Sequence, residues 1–164
     1  MLPLDSTHWD KLSRWANDGT SIPDEIAMLK AEIHTEHFDD YWSNFRDIFI
    51  CQCDISEAAI AIVPHILAML PEVPIAKRPQ IVYDTAWIVW LRSTVTSDSV
   101  TSEMWAAFDQ SLLDHRQDIA LSLAAPEDTP NFNLQLLLGA IALIWGNQEL
   151  GEYLSELEGQ GPNG

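Results

Sequence analysis

Large apolar residues recur at steps of three and four positions through most of this chain, and that spacing constrains the fold more than any other feature. Between residues 38 and 52 they mark one face of an amphipathic helix: Phe38, Tyr41, Trp42, Phe45, Ile48 and Phe49. The segments 54–70 and 79–93 show the same helical spacing, and in the second of them apolar residues cover most of the circumference, which predicts a central helix. No run shows the two-residue alternation of a half-buried strand, so the sequence predicts an all-α fold.

Capping residues and prolines indicate where these helices begin and end. Asp54 and Glu57 have the spacing of a capping box, which predicts the start of a helix at that point. A single apolar stripe runs through residues 102–125 and predicts one helix of nearly five turns, ended by a proline. Two shorter helices are predicted around 6–16 and 23–33.

Turn-forming residues bound the last two helices. One helix is predicted over residues 130–145 and ends at Gly146, and Asn147 then caps a final helix. About seven to eight helices joined by short turns predict antiparallel hairpins stacked in sequence, either a HEAT-like α-solenoid or an irregular helical bundle. We expect one domain over residues 1–158 and a flexible tail at 159–164.

Cysteine usage and hydropathy bear on where such a chain resides. Cys51 and Cys53 stand two residues apart, and on a helix their side chains point away from each other, so no mutual disulfide is expected. The first residues lack the basic and unbroken apolar regions of a secretory signal. The longest apolar stretch, residues 134–145, is shorter than the roughly 20 residues that a membrane span requires. These features predict a cytoplasmic protein.

Three segments carry a resemblance to a known group of proteins: FICQCDISEAAIAIVPHILAML, QIVYDTAWIVWL and LQLLLGAIALIWGNQELGEYLSEL. Over residues 38–158 the pattern resembles small bacterial HEAT-like helical-repeat proteins, some of which are encoded beside polymorphic toxins and resemble immunity proteins. The resemblance implies a helical-repeat fold and the binding of a toxin. The positions that carry it, Pro64–His65 and Gly146–Asn147, pack helices, so it transfers no functional residue.

The charge of the chain points to a basic partner. Its 25 Asp and Glu residues outnumber its 8 Lys and Arg residues and give a formal charge of −17. Eight scattered cations do not form the stripe that neutralises nucleic-acid phosphates, so direct nucleic-acid binding is disfavoured. Such a charge favours a basic protein domain, and the predicted partner is a cognate toxin or effector domain, with a nuclease as one candidate.

Three acidic stripes and one aromatic ridge are the candidate contacts for that partner. The stripes cover residues 36–40, 109–118 and 149–156, and the ridge lies on the helix 79–93, where an aromatic ring beside an acid suits a partner's arginine. The candidates are Glu36, Asp39, Asp40, Asp84, Trp87, Trp90, Asp109, Asp114, Asp118, Glu149, Glu152 and Glu156. Trp42, Trp105 and Trp145 are most simply core residues, as Trp87 is if the ridge is buried, whereas Trp9 is expected outside the core.

Other functions stay open at this stage. A helical-repeat adaptor for another protein would need only a concave surface. A metal-dependent enzyme could use the cluster HTEHFDD at residues 34–40, but an acidic loop between helices explains that cluster better, and H-x-x-H alone is no established zinc motif. No catalytic motif is present, so we predict neither an enzyme nor a metal or cofactor site.

Overall fold

Helices make up nearly all of the regular structure in the computed structural model, which describes residues 1–15, 19–51, 54–126, 129 and 133–156, without the side chains of 155 and 156. Within these residues the chain forms α1 (Ile22–Glu32), α2 (Phe38–Arg46), α3 (Glu57–Met69), α4 (Arg78–Leu91), α5 (Ser102–Asp114), α6 (Arg116–Leu121), α7 (Leu134–Ile144) and α8 (Gln148–Glu156). The predicted all-α class and helix number are confirmed. None of the described helices is both long enough and apolar enough to cross a membrane.

The segment before α1 is less regular than predicted. Instead of a helix over 6–16, the chain forms one short 3₁₀ helix, Thr7–Lys11, which the Ser6 side chain caps. Trp9 is buried there and its indole N–H donates to the Pro3 carbonyl at 2.8 Å, so the expectation that Trp9 stays outside the core is wrong. The start of α1 agrees with the prediction, since Ser21 caps it and Pro23 occupies its first turn.

Helix α2 ends earlier than the apolar spacing of its sequence predicts. After α2 it forms a two-residue antiparallel pair, β1 (Ile50–Cys51) with β2 (Asp54–Ile55), and the Ser56 amide donates to the Phe49 carbonyl at 3.0 Å. The prediction that Cys51 lies on a helix is therefore wrong: it is an exposed residue of β1. Cys53 lies outside the described residues.

A distant residue caps the start of α3. The predicted cap, Asp54, lies in β2, and the Ser56 side chain makes no capping bond. The Ser13 hydroxyl instead accepts from the Glu57 amide at 3.3 Å, and the Glu57 carboxylate accepts from the Ser13 amide at 2.8 Å. This is the reciprocal pattern of a capping box, made between segments 44 positions apart.

The predicted helix over 102–125 is two helices. The chain breaks at His115, whose backbone angles of φ −100° and ψ 15° fall outside the helical region, and α6 begins at Arg116. The next prediction, a helix from residue 130, is shortened: Asn133 caps α7 by accepting from two amides, and residues 130–132 lie outside the described residues. At the other end Gly146 closes α7 with φ +81°, as predicted.

The core is built around α3 rather than α4. Every residue of α3 from Ala58 to Leu67 is buried, whereas α4 keeps one face toward solvent. The principal contacts join α1 with α2, α3 with α5, α4 with α7, and α7 with α8. The order of these pairs places α3 and α5 in one layer and α4 and α7 in another, and α4 therefore lies where its free face and the neighbouring α7 and α8 form a surface.

Candidate functional site

The solvent face of α4 carries a row of polar and aromatic side chains. Gln80, Tyr83, Trp87 and Trp90 follow one another at steps of three and four residues, so they lie along one side of the helix. Tyr83 and Trp90 are 36% and 40% exposed, and the other two are half-buried. We call these four residues the α4 face. Its aromatic members confirm that the predicted ridge reaches the surface.

Two tryptophans of the α4 face form one wall of a groove. The rings of Trp87 and Trp90 are 4.9 Å apart between centroids and inclined by 50°, so the two indoles form an angled wall rather than a stack. The groove has a volume of about 470 Å³ and runs between α4, α7 and α8. Besides Tyr83 and these two rings, it is lined by Ala86, Ala140, Leu143 and Glu152. We call it the Trp90 groove.

Glu152 supplies the charge in this groove. Its Oε1 accepts from the Trp90 indole N–H at 3.3 Å and from the Gln148 side-chain amide at 2.8 Å. Both bonds end on the same oxygen, and among the described residues no donor reaches Oε2. Close packing places α8 here, because a Cβ at Gly151 would overlap the Leu143 side chain on α7. Of the predicted contacts, the structure therefore brings together Trp87, Trp90 and Glu152.

Asp84 is not the exposed acid beside the aromatic ridge that the sequence predicts, although it lines a groove together with Tyr83 and Trp87. The side chain is only 4% exposed, because position 84 faces the core while 83 and 87 face outward. Its Oδ2 accepts from the Trp42 indole N–H at 2.8 Å, and both oxygens accept from the Gln80 amide at 3.1 Å. Burial raises the pKa of Asp84, against the opposing effect of these hydrogen bonds and of Arg46.

The acidic stripe on α5 and α6 is divided by the break between these helices. Asp109 is exposed and pairs with Arg92 at 2.9 Å, which brings it to the end of α4 that also holds the Trp90 groove. Asp114 is exposed and accepts from Gln110 at 2.7 Å. Asp118 is half-buried beside His115 at 3.2 Å. Of these three acids, Asp109 is the one that pairs with a cation at the end of α4.

The remaining candidates lie at both ends of this surface. Glu36, Asp39 and Asp40 are exposed near the start of α2, and Asp39 lines a groove together with Lys77 and Gln80 at the first turn of α4. At the ~20 Å length expected for α4, they lie a full helix length from Glu152. Glu149 is exposed on α8. The side chain of Glu156 lies outside the described residues.

A second groove, of about 610 Å³, adjoins the α4 face on its other side. Tyr83 and Trp87 separate it from the Trp90 groove, and its other lining residues include Trp15, Arg46 and Cys51. Trp15 is 49% exposed. Trp145 is 50% exposed, so the prediction that it is a core residue is wrong. Helical spacing offers no signal for Trp15, which precedes the first regular helix.

The histidine and acid cluster at 34–40 occupies the turn between α1 and α2 and the start of α2, as an acidic inter-helix loop would. His37 lies 3.8 Å from Glu36, and both are exposed. Across the described part of the chain, no group of three or more His, Cys, Asp or Glu side chains is placed to hold a metal ion. His65, by contrast, is a hydrogen-bonded core residue whose Nε2 contacts the Leu2 carbonyl at 2.9 Å.

The chain matches no protein-family model, no curated protein and no solved structure. The resemblance to HEAT-like immunity proteins stays a prediction, and any function has to be argued from the surface itself.

Proposed function

We propose that this protein binds a basic protein domain through the α4 face and the Trp90 groove, and that it acts as an immunity or antitoxin-like inhibitor of that domain in the cytoplasm. One observation carries the proposal. On the surface of α4, Trp90 is exposed and Trp87 is half-buried, and Glu152 of α8 accepts a hydrogen bond from the Trp90 indole beside them. Aromatic side chains with charged residues around them are typical of protein-binding surfaces.

The distribution of cations supports a basic partner. Arg78 is buried and its guanidinium donates to the carbonyls of Val73 and Pro71, while Lys77 donates to the Thr35 carbonyl. These cations serve the fold rather than neutralising surface acids. Much of the negative charge therefore stays on the surface, where it raises the rate of association with a positive partner, to about 10⁸ M⁻¹s⁻¹ or more at low salt.

Co-expression with the product of a neighbouring gene tests this function. We expect a basic domain that arrests growth when expressed alone, and normal growth when this protein is expressed with it. The association rate should fall steeply as salt is raised. A rate that does not depend on ionic strength would refute the electrostatic argument, and binding without rescue of growth would indicate an adaptor instead of an inhibitor.

Paired variants then locate the surface. Trp87→Ala combined with Trp90→Ala should abolish rescue and slow association little, because the loss of anchors acts mainly on dissociation. Asp39→Asn combined with Asp40→Asn serves as the control at the far end of α4, and should lower only the association rate. If the control pair abolishes rescue and the tryptophan pair does not, the partner binds the α2 stripe instead.

A further inference from the structure

We propose that the Trp90 groove is a binding site for an arginine side chain of the partner, with the guanidinium stacked on Trp90 and hydrogen-bonded to Glu152. This inference rests on the proposed function for the source of the arginine, but its geometry and its test do not need that partner to be known.

The carboxylate of Glu152 is held in position before any ligand arrives. The Trp90 indole and the Gln148 amide both donate to Oε1, which orients the carboxylate and leaves Oε2 without a donor among the described residues. Glu152 also has no lysine or arginine partner in the part of the chain that the structure describes. A charged donor entering the groove would therefore find an oriented acceptor and displace no internal ion pair.

The rings favour arginine over lysine. The groove offers the faces of two indoles inclined by 50°, with apolar residues Ala140 and Leu143 opposite. A guanidinium is planar, weakly hydrated and able to stack on an aromatic ring while its edge donates to a carboxylate. A lysine ammonium is compact and strongly hydrated, so it would lose more hydration in an apolar groove for fewer oriented bonds. The aliphatic stem of an arginine fits the apolar wall.

Hexa-arginine and hexa-lysine are suitable probes, since they carry equal charge and differ only in the cationic group. Their affinities are measured by calorimetry at about 150 mM salt, where long-range attraction is screened. Glu152→Gln and Glu149→Gln are matched variants: each removes one charge from α8, but only Glu152 lies in the groove. Circular dichroism confirms that both variants keep the helical fold.

We expect wild-type protein to bind hexa-arginine more tightly than hexa-lysine. Glu152→Gln should weaken hexa-arginine binding about tenfold, the size expected for one charge-assisted hydrogen bond with a stacked cation, while Glu149→Gln changes it less than about twofold. Trp90→Leu should abolish the preference for arginine. In the ¹H–¹⁵N spectrum, hexa-arginine should shift the indole signal that is absent from the Trp90→Leu variant.

Equal affinities for the two peptides, or equal losses in the two glutamate variants, would overturn the inference by showing that only net charge is recognised. That result leaves the proposed function standing, because a basic toxin could still bind elsewhere on the α4 face. Conversely, a clear arginine preference with no neutralised toxin would refute the proposed function and retain the arginine site.

Discussion

Replacing Asp84 separates two roles of one buried side chain, its charge and its hydrogen bonds. Asp84→Asn removes the charge but keeps an oxygen that can accept from the Trp42 indole N–H, now 2.8 Å away. Asp84→Ala removes the acceptor altogether. The two variants therefore have opposite expected effects on the free energy of unfolding.

The magnitudes follow from burial. In Asp84→Ala the buried Trp42 N–H loses its partner, and an orphaned buried donor costs about 1–3 kcal/mol. Gln80 is only half-buried, so its amide can turn toward water at little cost. With a urea m-value of about 2 kcal/mol/M, the midpoint should fall by about 1 M. Asp84→Asn should be as stable as wild type at neutral pH, or more stable, because the fold no longer holds a desolvated charge.

The pH dependence gives a second readout with a definite sign. Folding raises the pKa of Asp84 through burial. Its contribution to stability is therefore fully present below the unfolded pKa, near pH 4, and is lost as pH rises through the higher folded pKa. Asn does not titrate, so the advantage of Asp84→Asn over wild type should grow as pH rises from the unfolded pKa, near 4, toward neutral pH.

Urea unfolding followed by tryptophan fluorescence measures all three proteins across that range. Asp40→Asn is the control, since Asp40 is an exposed acid on the same helix as Trp42 and is not among the charges that shift the pKa of Asp84. The reasoning is refuted if Asp84→Asn is as unstable as Asp84→Ala at neutral pH. In that case attraction to Arg46 would outweigh desolvation, and the carboxylate would be a net stabilising charge.

Three further predictions concern single residues of the framework. Ser13→Ala should lower stability by about 1 kcal/mol in urea unfolding, because the Glu57 amide loses its cap, whereas an unchanged midpoint would mean that water replaces it. On acidification below about pH 6.5, the free energy of unfolding of His65→Gln should fall less than that of wild type. Burial lowers the pKa of His65, so the unfolded chain binds the proton more readily than the folded protein does; equal losses would contradict this. Gly146→Ala should cost about 1–2 kcal/mol because of its φ of +81°, and a thermal scan showing no change would contradict it.

Local sequence signals were sufficient to predict most helices, because each helix contains its own evidence. The apolar stripe of α2, the proline in the first turn of α1 and the positive-φ glycine after α7 all act within a few residues. The errors occur where a long-range contact decides the local structure. Ser13 replaces the predicted cap of α3 from 44 positions away, and no pattern near Glu57 indicates it.

The break at His115 has a similar origin. Residues 102–125 contain no glycine or proline, so their spacing alone favours one continuous helix. In the structure His115 leaves the helical region, and its ring lies 3.2 Å from Asp118. Ile119, four residues after the break, is fully buried in the core. Tertiary packing thus overrides a helical pattern that is locally consistent.

The identity of the acid beside Trp90 shows most clearly what local sequence signals cannot predict. The sequence places Asp84 and Trp87 three residues apart, which is close enough on a helix for contact but does not say which of them faces water. The side of a helix on which each residue lies is fixed once one face is buried. Burying Ile81, Thr85 and Ile88 against the core also buries position 84. The same rotation turns positions 83, 87 and 90 outward. Asp84 still lines a groove with Tyr83 and Trp87, whereas the acid that contacts the exposed Trp90 indole comes from another helix. Glu152 meets Trp90 across 62 positions because α8 packs on α7 at Gly151, a contact that only the assembled fold determines.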